Sequence, residues 1–304
     1  ENKMAKCLVT GHEGYIGSHL FKELKKQGHE VLGIDLQGEF GKDILSWQGF
    51  KPALNGDFNP KWKSSPLSTG LPPDYIFHLA CFPRVAYSVD NPLKTMENNV
   101  LCTSYVLNYA RKIGAKRVIY SSSSSVMGNG DGPESPYALQ KLISEMECKM
   151  YSKMYGLDTV CLRYFNVYSK DQKADGPYAT AIAKWMKHIK ENKKPFITGD
   201  GEQRRDMLHV SDAVRANIFA MQHKGRFNGK NFDVGTGNNI SLNEIKDIVK
   251  SYFPKVDFDY VSQRPGDVLE TRAKTEPLNK LGWSTETSIE NGVDDCFRGV
   301  RNDL

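Results

Sequence analysis

The chain has 304 residues, 39% hydrophobic and 25% charged, with a formal net charge of +5. That length can bury roughly three quarters of the unfolded surface and allows one large domain or two smaller ones, and the composition argues against disorder. The positive charge is spread along the sequence. It forms no basic stripe of the kind that marks nucleic-acid binding, and it leaves at most a mild preference for anionic ligands such as nucleotides. No apolar run approaches the ~18 residues of a membrane span, and the N-terminal residues carry no apolar signal region, so neither membrane insertion nor secretion is expected. The six cysteines (Cys7, Cys81, Cys102, Cys148, Cys161, Cys296) show no Cys-x-x-Cys spacing. They predict no zinc site and a reducing, cytoplasmic compartment.

In chain order, Lys6–Thr10 is a short apolar run that predicts a buried strand. Ile16, Leu20 and Leu24 recur every four residues and predict an amphipathic helix, with Gly28 placed as its stop. His29–Asp35 reads as a second strand ending in an acid. Gly11, Gly14 and Gly17 therefore fall in a strand–turn–helix, with Asp35 18 residues after Gly17. This is the dinucleotide fingerprint: glycine permits the tight turn and a close backbone approach, and the helix N-terminus receives a pyrophosphate. Asp35 can accept hydrogen bonds from ribose hydroxyls and would repel a 2′-phosphate, so NAD is favoured over NADP. The competing reading is a glycine-rich turn that binds nothing.

Residues 36–75 carry little clean period. Leu54–Phe58 is a candidate third strand ending at Asp57, with Asp43–Ile44 competing for that strand end. Tyr75–Ala80 is a clear apolar strand, and Pro92 precedes a helical pattern that runs through Ile113. Lys116–Ser122 is the next strand, Tyr137 to about Tyr155 a helix, and Thr159–Tyr164 a strand. Strands alternating with helices predict an α/β fold with a doubly wound parallel sheet. Beyond this, Tyr178–Glu191 reads as helix, Phe196–Gly201 as strand and turn, and Asn231–Gly235 as strand. A helix through Gln222 and another capped by Ser241 complete the readable pattern, which loosens into a smaller interleaved lobe.

The stretch Tyr120–Lys141 concentrates the chemistry. Five consecutive serines, Ser121–Ser125, begin at a strand's C-terminal end, where doubly wound sheets place ligands. Ser135 can cap the following helix and Pro136 suits its first turn. Tyr137 and Lys141 are then i, i+4 neighbours on one helical face. A cation beside a phenol favours the phenolate, which makes Tyr137 a candidate proton-transfer group. Of the histidines, His78 reads as a packed core residue, His12 as a turn residue near solvent and His209 as structural. No His/Asp/Glu cluster has metal-ligand spacing.

Taken together, several motifs resemble the extended short-chain dehydrogenase/reductase family, in particular its nucleotide-sugar 4-epimerases. They are TGHEGYIG (10–17), Asp35, HLAC (78–81), NNV (98–100), SSSSSVMG (121–128), YALQK (137–141), RYFNVYS (163–169), GDGEQRRDMLHV (199–210) and RPGD (264–267). The resemblance implies a bound NAD and a catalytic set of Ser123, Tyr137 and Lys141. In that set Tyr137 removes the sugar 4-hydroxyl proton, Lys141 holds the nicotinamide ribose and Ser123 hydrogen-bonds the sugar oxygen. Around the cofactor it places Gly11, Gly14, Tyr15, Ile16, Gly17, Asp35, Leu36, Asp57, Phe58, Leu79, Ala80, Arg84, Asn98, Ser121 and Tyr164. For a UDP-sugar it places Arg84, Asn166, Phe196, Arg205, Arg264, Asp267 and Thr271. The arginines suit a diphosphate because their planar fork makes paired hydrogen bonds. An NAD domain over 1–168 with 206–240 returning to it, a substrate lobe over 169–205 and 241–304, and a homodimer through helices at about 93–112 and 137–155 are further implications.

Departures from the family pattern narrow the reaction. Dehydratases and decarboxylases of this type place an acid after the catalytic serine or threonine, whereas Ser124 and Ser125 stand here. Serine, with its high pKa, is a poor proton carrier. Thr271 is small where a bulky residue excludes N-acetyl sugars, so UDP-glucose/galactose and their N-acetyl forms are the expected substrates. UDP-glucuronate 4-epimerisation and a non-catalytic NAD sensor are the alternatives. Met127 stands where relatives usually have Tyr, and eight residues separate Gly128 from Tyr137 where relatives have a longer loop.

Overall fold

The computed structural model describes residues 4–35, 72–83, 85–175, 179–262 and 270–302. Leu36, the candidate strand ending at Asp57 and Phe58, Arg84, Arg264 and Asp267 lie outside the described residues. The chain divides into two compact units, Glu1–Arg163 with Val214–Phe232, and Tyr164–Ala213 with Asp233–Leu304. The sequence places the first boundary at 168 and the returning segment at 206–240, so that segment extends eight residues further at each end than in the structure.

The first unit is built on strands β1 (Lys6–Thr10), β2 (Glu30–Ile34), β3 (Tyr75–His78), β4 (Arg117–Ser123) and β5 (Thr159–Tyr164). With the later strand Lys230–Val234 they form a six-stranded sheet; from that strand inward the order runs β5, β4, β3, β1, β2. β1 pairs in parallel with β2 on one side and β3 on the other. The chain thus reverses its direction of winding at β1, and the crevice at the carboxyl ends of β1 and β3 is the topological switch point where such sheets bind ligands. The strands read as apolar runs because both faces are covered. Leu8, Ile76, Val118 and Cys161 pack with Val106, Leu107 and Tyr109 in one buried cluster.

Helices α1 (Tyr15–Lys26), α2 (Val85–Asp90) and α3 (Pro92–Met96) follow in chain order. The helix predicted from Pro92 to Ile113 is interrupted by a π turn over Glu97–Leu101 before α4 (Cys102–Ile113) resumes. One residue is added there, which periodicity alone does not register, and such bulges recur at functional sites. Helix α5 (Pro136–Tyr155) starts as predicted: Pro136 is in the first turn and the Ser135 side chain accepts from the Ala138 N–H at 3.2 Å.

A buried clamp fixes segment 214–232 in this unit. Arg117 Nε donates to Asp158 at 2.6 Å, and its Nη atoms donate to the carbonyls of His223 and Gly225 at 2.9 and 2.7 Å. The other Asp158 oxygen accepts the N–H groups of Phe227 and Asn228, both at 2.9 Å. The second unit has its own core, in which Trp185, Ile189, Ile245, Val249, Val293 and Phe297 pack together. Its helix Leu242–Tyr252 opens with the Ser241–Glu244 capping box that Ser241 predicted. No helix among the described residues is long and apolar enough to cross a membrane.

Candidate active site

The glycine turn lies at the switch point, and geometry requires its glycines. Gly11 has φ +75°, and a Cβ there would meet the Ala80 nitrogen at 2.7 Å. A Cβ on Gly17 would lie 1.9 Å from the Gly11 carbonyl oxygen, so only glycine lets α1 pack this closely. Asp35 accepts the Glu13 N–H at 3.0 Å, tying the end of β2 to the turn. His12 was expected near solvent, but its ring folds inward. It packs 5.1 Å from the Phe21 ring and so close to β2 that a Cβ on Gly33 would lie 2.2 Å from it. Gly33 in mid-strand is thereby explained.

A buried polar chain holds the other wall. The Thr103 hydroxyl donates to the Asn99 carbonyl at 2.7 Å, so it accepts from His78 Nε2–H at 3.0 Å. His78 Nδ1 then accepts from the Thr10 hydroxyl at 2.7 Å, and Thr10 in turn accepts the Ala80 N–H at 3.3 Å. The backbone of Leu79 is also held, its N–H donating to the Thr10 carbonyl at 3.1 Å. Burial, aided by the nearby Lys141 charge, pushes His78 down to about 3. It is the packed, neutral residue the sequence implied. Asn98 is half-buried in the π turn, but its neighbour Asn99 does the bonding: its amide joins the Phe82 backbone at 2.7 Å and Gln140 at 2.8 Å.

The serines divide their labour. The Ser121 carbonyl accepts from Lys141 Nζ at 2.6 Å. Ser122 donates to Glu145 at 2.6 Å. Ser123 closes β4, caps the following 3₁₀ turn and lies near enough to the Tyr137 phenol to favour its charged form. The structure therefore brings Ser123, Tyr137 and Lys141 together, with Tyr137 and Lys141 both buried. Lys141 Nζ lies 5.9 Å from the Tyr137 ring centroid and 4.8 Å from that of Tyr120. Burial pushes the Tyr137 phenol up, the neighbouring Cys81 thiol adds to this, and the Ser123 hydrogen bond pulls it back. The expected lowering by Lys141 is not the governing effect: the buried site disfavours the phenolate, and Ser123 counters that.

Sequence reasoning missed the support behind these groups. Glu145 follows Lys141 by one helical turn and receives a fork from Arg163 at 2.8 and 2.6 Å, together with Asn231 at 3.1 Å. Ser88 on α2 accepts the Tyr137 N–H at 3.0 Å. The recurrence of Tyr137, Lys141 and Glu145 every four residues was the available signal.

In the second unit, Asn166 Nδ2 donates to the Asp206 carbonyl at 2.9 Å and to Thr271 Oγ1 at 3.1 Å. Asp206 is wholly buried and accepts four hydrogen bonds, from the Thr236 N–H and hydroxyl and from the N–H groups of Gly237 and Ala273. It pins the corner that carries Arg205. Arg205 Nη1 donates to the Arg204 carbonyl at 3.0 Å, while Arg204 itself pairs with Glu244 at 2.9 Å. Phe196 is half-buried, edge-on to His188 at 5.5 Å, and Tyr164 is buried. His209 bonds Ser211 at 2.8 Å. No group of three or more potential metal ligands occurs among the described residues.

A glycine cradle that any Cβ would fill, an acid at the end of β2, and Ser123 beside the buried Tyr137 and Lys141 define a dinucleotide-dependent enzyme of the Rossmann class, and these residues fit NAD. Residues 7–235 match the model of the NAD dependent epimerase/dehydratase family. The chain belongs to that family and is an NAD-dependent isomerase. The UDP-glucose 4-epimerase of Mycolicibacterium smegmatis is 31% identical over 319 residues, covering 98% of this chain and 99% of the relative. The solved UDP-N-acetylglucosamine 4-epimerase from Methanobrevibacter ruminantium, in complex with UDP-N-acetylmuramic acid, is 28% identical with a TM-score of 0.86, covering 99% of this chain and 100% of that one. The UDP-glucuronic acid 4-epimerase from Bacillus cereus, in complex with UDP-glucuronic acid and NAD, is 26% identical with a TM-score of 0.81, covering 98% and 99%.

Proposed function

We propose that this protein inverts C4 of UDP-hexoses, UDP-glucose/galactose and UDP-N-acetylglucosamine/galactosamine, with Ser123, Tyr137 and Lys141 as its catalytic set. The carrying observation is the buried Tyr137 phenol, with Lys141 Nζ 5.9 Å from its ring and Ser123 favouring its charged form. Tyr137 takes the proton of the sugar 4-hydroxyl and later returns one to the 4-keto oxygen. Before that transfer Ser123 donates to the phenolate. Once Tyr137 is protonated, the Ser123 proton is free to turn to the sugar oxygen. Lys141, held on the Ser121 carbonyl, sets its amino group against this centre. When bound, NAD supplies the acceptor and donor of hydride, so the reaction needs no net oxidant.

Gly11, Gly14, Tyr15, Ile16, Gly17, Asp35, Leu79, Ala80, Asn98, Ser121 and Tyr164 are the proposed cofactor residues. Asn166, Phe196, Arg205, Arg264, Asp267 and Thr271 are the proposed substrate set. With serine at 124 and 125, no acid follows Ser123 to carry out dehydration or decarboxylation.

The test is turnover of a UDP-sugar panel with product separation and no added NAD. Interconversion of the UDP-hexoses supports the reading. Turnover of UDP-glucuronate alone would replace it with the second reading, which the serine-rich 121–125 run favours. No turnover despite bound NAD would leave a sensor. We also propose a homodimer through α3–α5. Leu139, Met146, Met150 and Met154 form one exposed apolar stripe on α5, and Leu93 on α3 and Leu101 at the end of the π turn are exposed. Light scattering giving the mass of a single chain would refute it.

A further inference from the structure

We propose that Ser125 is a positioning residue that holds the Ser123 hydroxyl as a donor only, so that its proton serves the Tyr137 phenolate and then the sugar oxygen. This deepens the proposed function and rests on that reading. Ser125 delivers two donors to one oxygen. Its N–H reaches Ser123 Oγ at 3.2 Å and its hydroxyl donates to the same atom at 2.9 Å. A serine hydroxyl has two acceptor sites and one proton. With both acceptor sites engaged, Ser123 has only its proton to offer, and the titratable group it acts on is the Tyr137 phenol.

The local backbone produces this arrangement. Ser123 is extended, at φ −145° and ψ 146°, and the chain turns at once into the 3₁₀ segment Ser124–Met127. That turn brings residue i+2 back over the Ser123 side chain.

The consequence is chemical. A Ser123 that can only donate stabilises the phenolate of Tyr137 and cannot accept the proton of the neutral phenol. That proton is left for the sugar oxygen. The other titratable groups around the phenol are Cys81 after β3, Tyr120 on β4 and Lys141 on α5. Ser125→Ala alters none of them and keeps the backbone donor.

The test compares wild type, Ser125→Ala and Ser125→Thr as purified proteins with bound NAD. Initial rates with the best UDP-hexose of the panel are followed from pH 5.5 to 9.5. Loss of one orienting hydrogen bond is expected to lower kcat at neutral pH about fivefold. KM should change less than about twofold, because the loss is felt in the transition state and not in substrate binding. The low-pH limb of kcat should move up by about 0.7 pH, the same fold-change read as a proton affinity. Ser125→Thr, which keeps the hydroxyl, should restore the wild-type profile.

An Ser125→Ala profile that coincides with wild type overturns the inference while leaving the proposed function intact. So does a Ser125→Thr profile that stays with alanine. If Ser125→Ala loses bound NAD, Ser125→Cys carries the test: its weaker donor predicts an intermediate limb, and a wild-type limb overturns the idea. Absence of wild-type turnover with every UDP-hexose is a different result. It removes the proposed function, and this inference falls with it.

Discussion

A threonine at position 271 is small, and it is also bonded. Its hydroxyl accepts from Asn166 Nδ2 at 3.1 Å, and its carbonyl accepts the Asp206 N–H at 3.1 Å. Size and hydrogen bonding make separate predictions. On the proposed function, Thr271→Tyr closes the room for an N-acetyl group, so turnover of the N-acetyl substrates should fall at least about tenfold relative to UDP-glucose. Thr271→Val keeps the volume and removes the acceptor for Asn166. It should lower kcat/KM for both substrate types alike, by about fivefold for one hydrogen bond. Parallel kinetics on UDP-glucose and UDP-N-acetylglucosamine separate the two effects. An unchanged ratio in Thr271→Tyr would remove position 271 from the account of selectivity, and a changed ratio in Thr271→Val would show that the hydroxyl, and not the size, does the sorting.

Helix α5 carries its functional groups on one stripe, Tyr137, Lys141 and Glu145, with Cys148 continuing it into the core. Glu145 locks that stripe to β4 through Ser122 and to β5 through Arg163. Removing the carboxylate would take a two-pronged ion pair from a largely buried guanidinium. Glu145→Ala is therefore expected to cost about 3–5 kcal/mol of folding stability, read from urea midpoints. Glu145→Gln keeps the shape and should cost less, and a Glu145→Ala protein as stable as wild type would show the knot to be dispensable. The start of this helix was legible, since Ser135 and Pro136 announce it and the four-residue spacing of Tyr137 and Lys141 sets its face. The knot was not. The partners of Glu145 lie 23 residues before it and 18 and 86 residues after it, and only folding brings them together. The π turn escaped for another reason. An apolar repeat reports which face is buried, and one extra residue in a turn leaves that face nearly unchanged. The lowering of Tyr137 by Lys141 was overestimated because spacing gives proximity and carries no information on burial.

Across the molecule, alternating apolar runs and helical patterns were enough to imply a parallel sheet, whereas strand order had to come from pairing. The same burial makes the first unit sensitive to acid. His78 is held neutral inside the chain from Ala80 to Asn99, with its proton affinity pushed down from an ordinary 6.5 to about 3. His29, whose Nδ1 accepts the Ala5 N–H at 3.2 Å, is shifted in the same direction by burial. For an imidazole lowered by folding, the unfolded chain takes up a proton that the native state refuses. Stability is then fully present above about pH 6.5 and is lost progressively as pH falls toward about 3, at up to ~1.4 kcal/mol per pH unit from His78. Burial raises Glu147, which acts in the opposite sense just above its ordinary value of 4.5. The window from pH 6.5 to 5 is thus the cleanest place to see the histidine effect. His78→Asn should be less stable than wild type at pH 7.5, because the Thr10 and Thr103 hydrogen bonds are disturbed, and its urea midpoint should decline less steeply over that window. Equal slopes for the two proteins would mean that His78 takes up its proton without unfolding the core, and that the chain from Ala80 to Asn99 tolerates a charged imidazole.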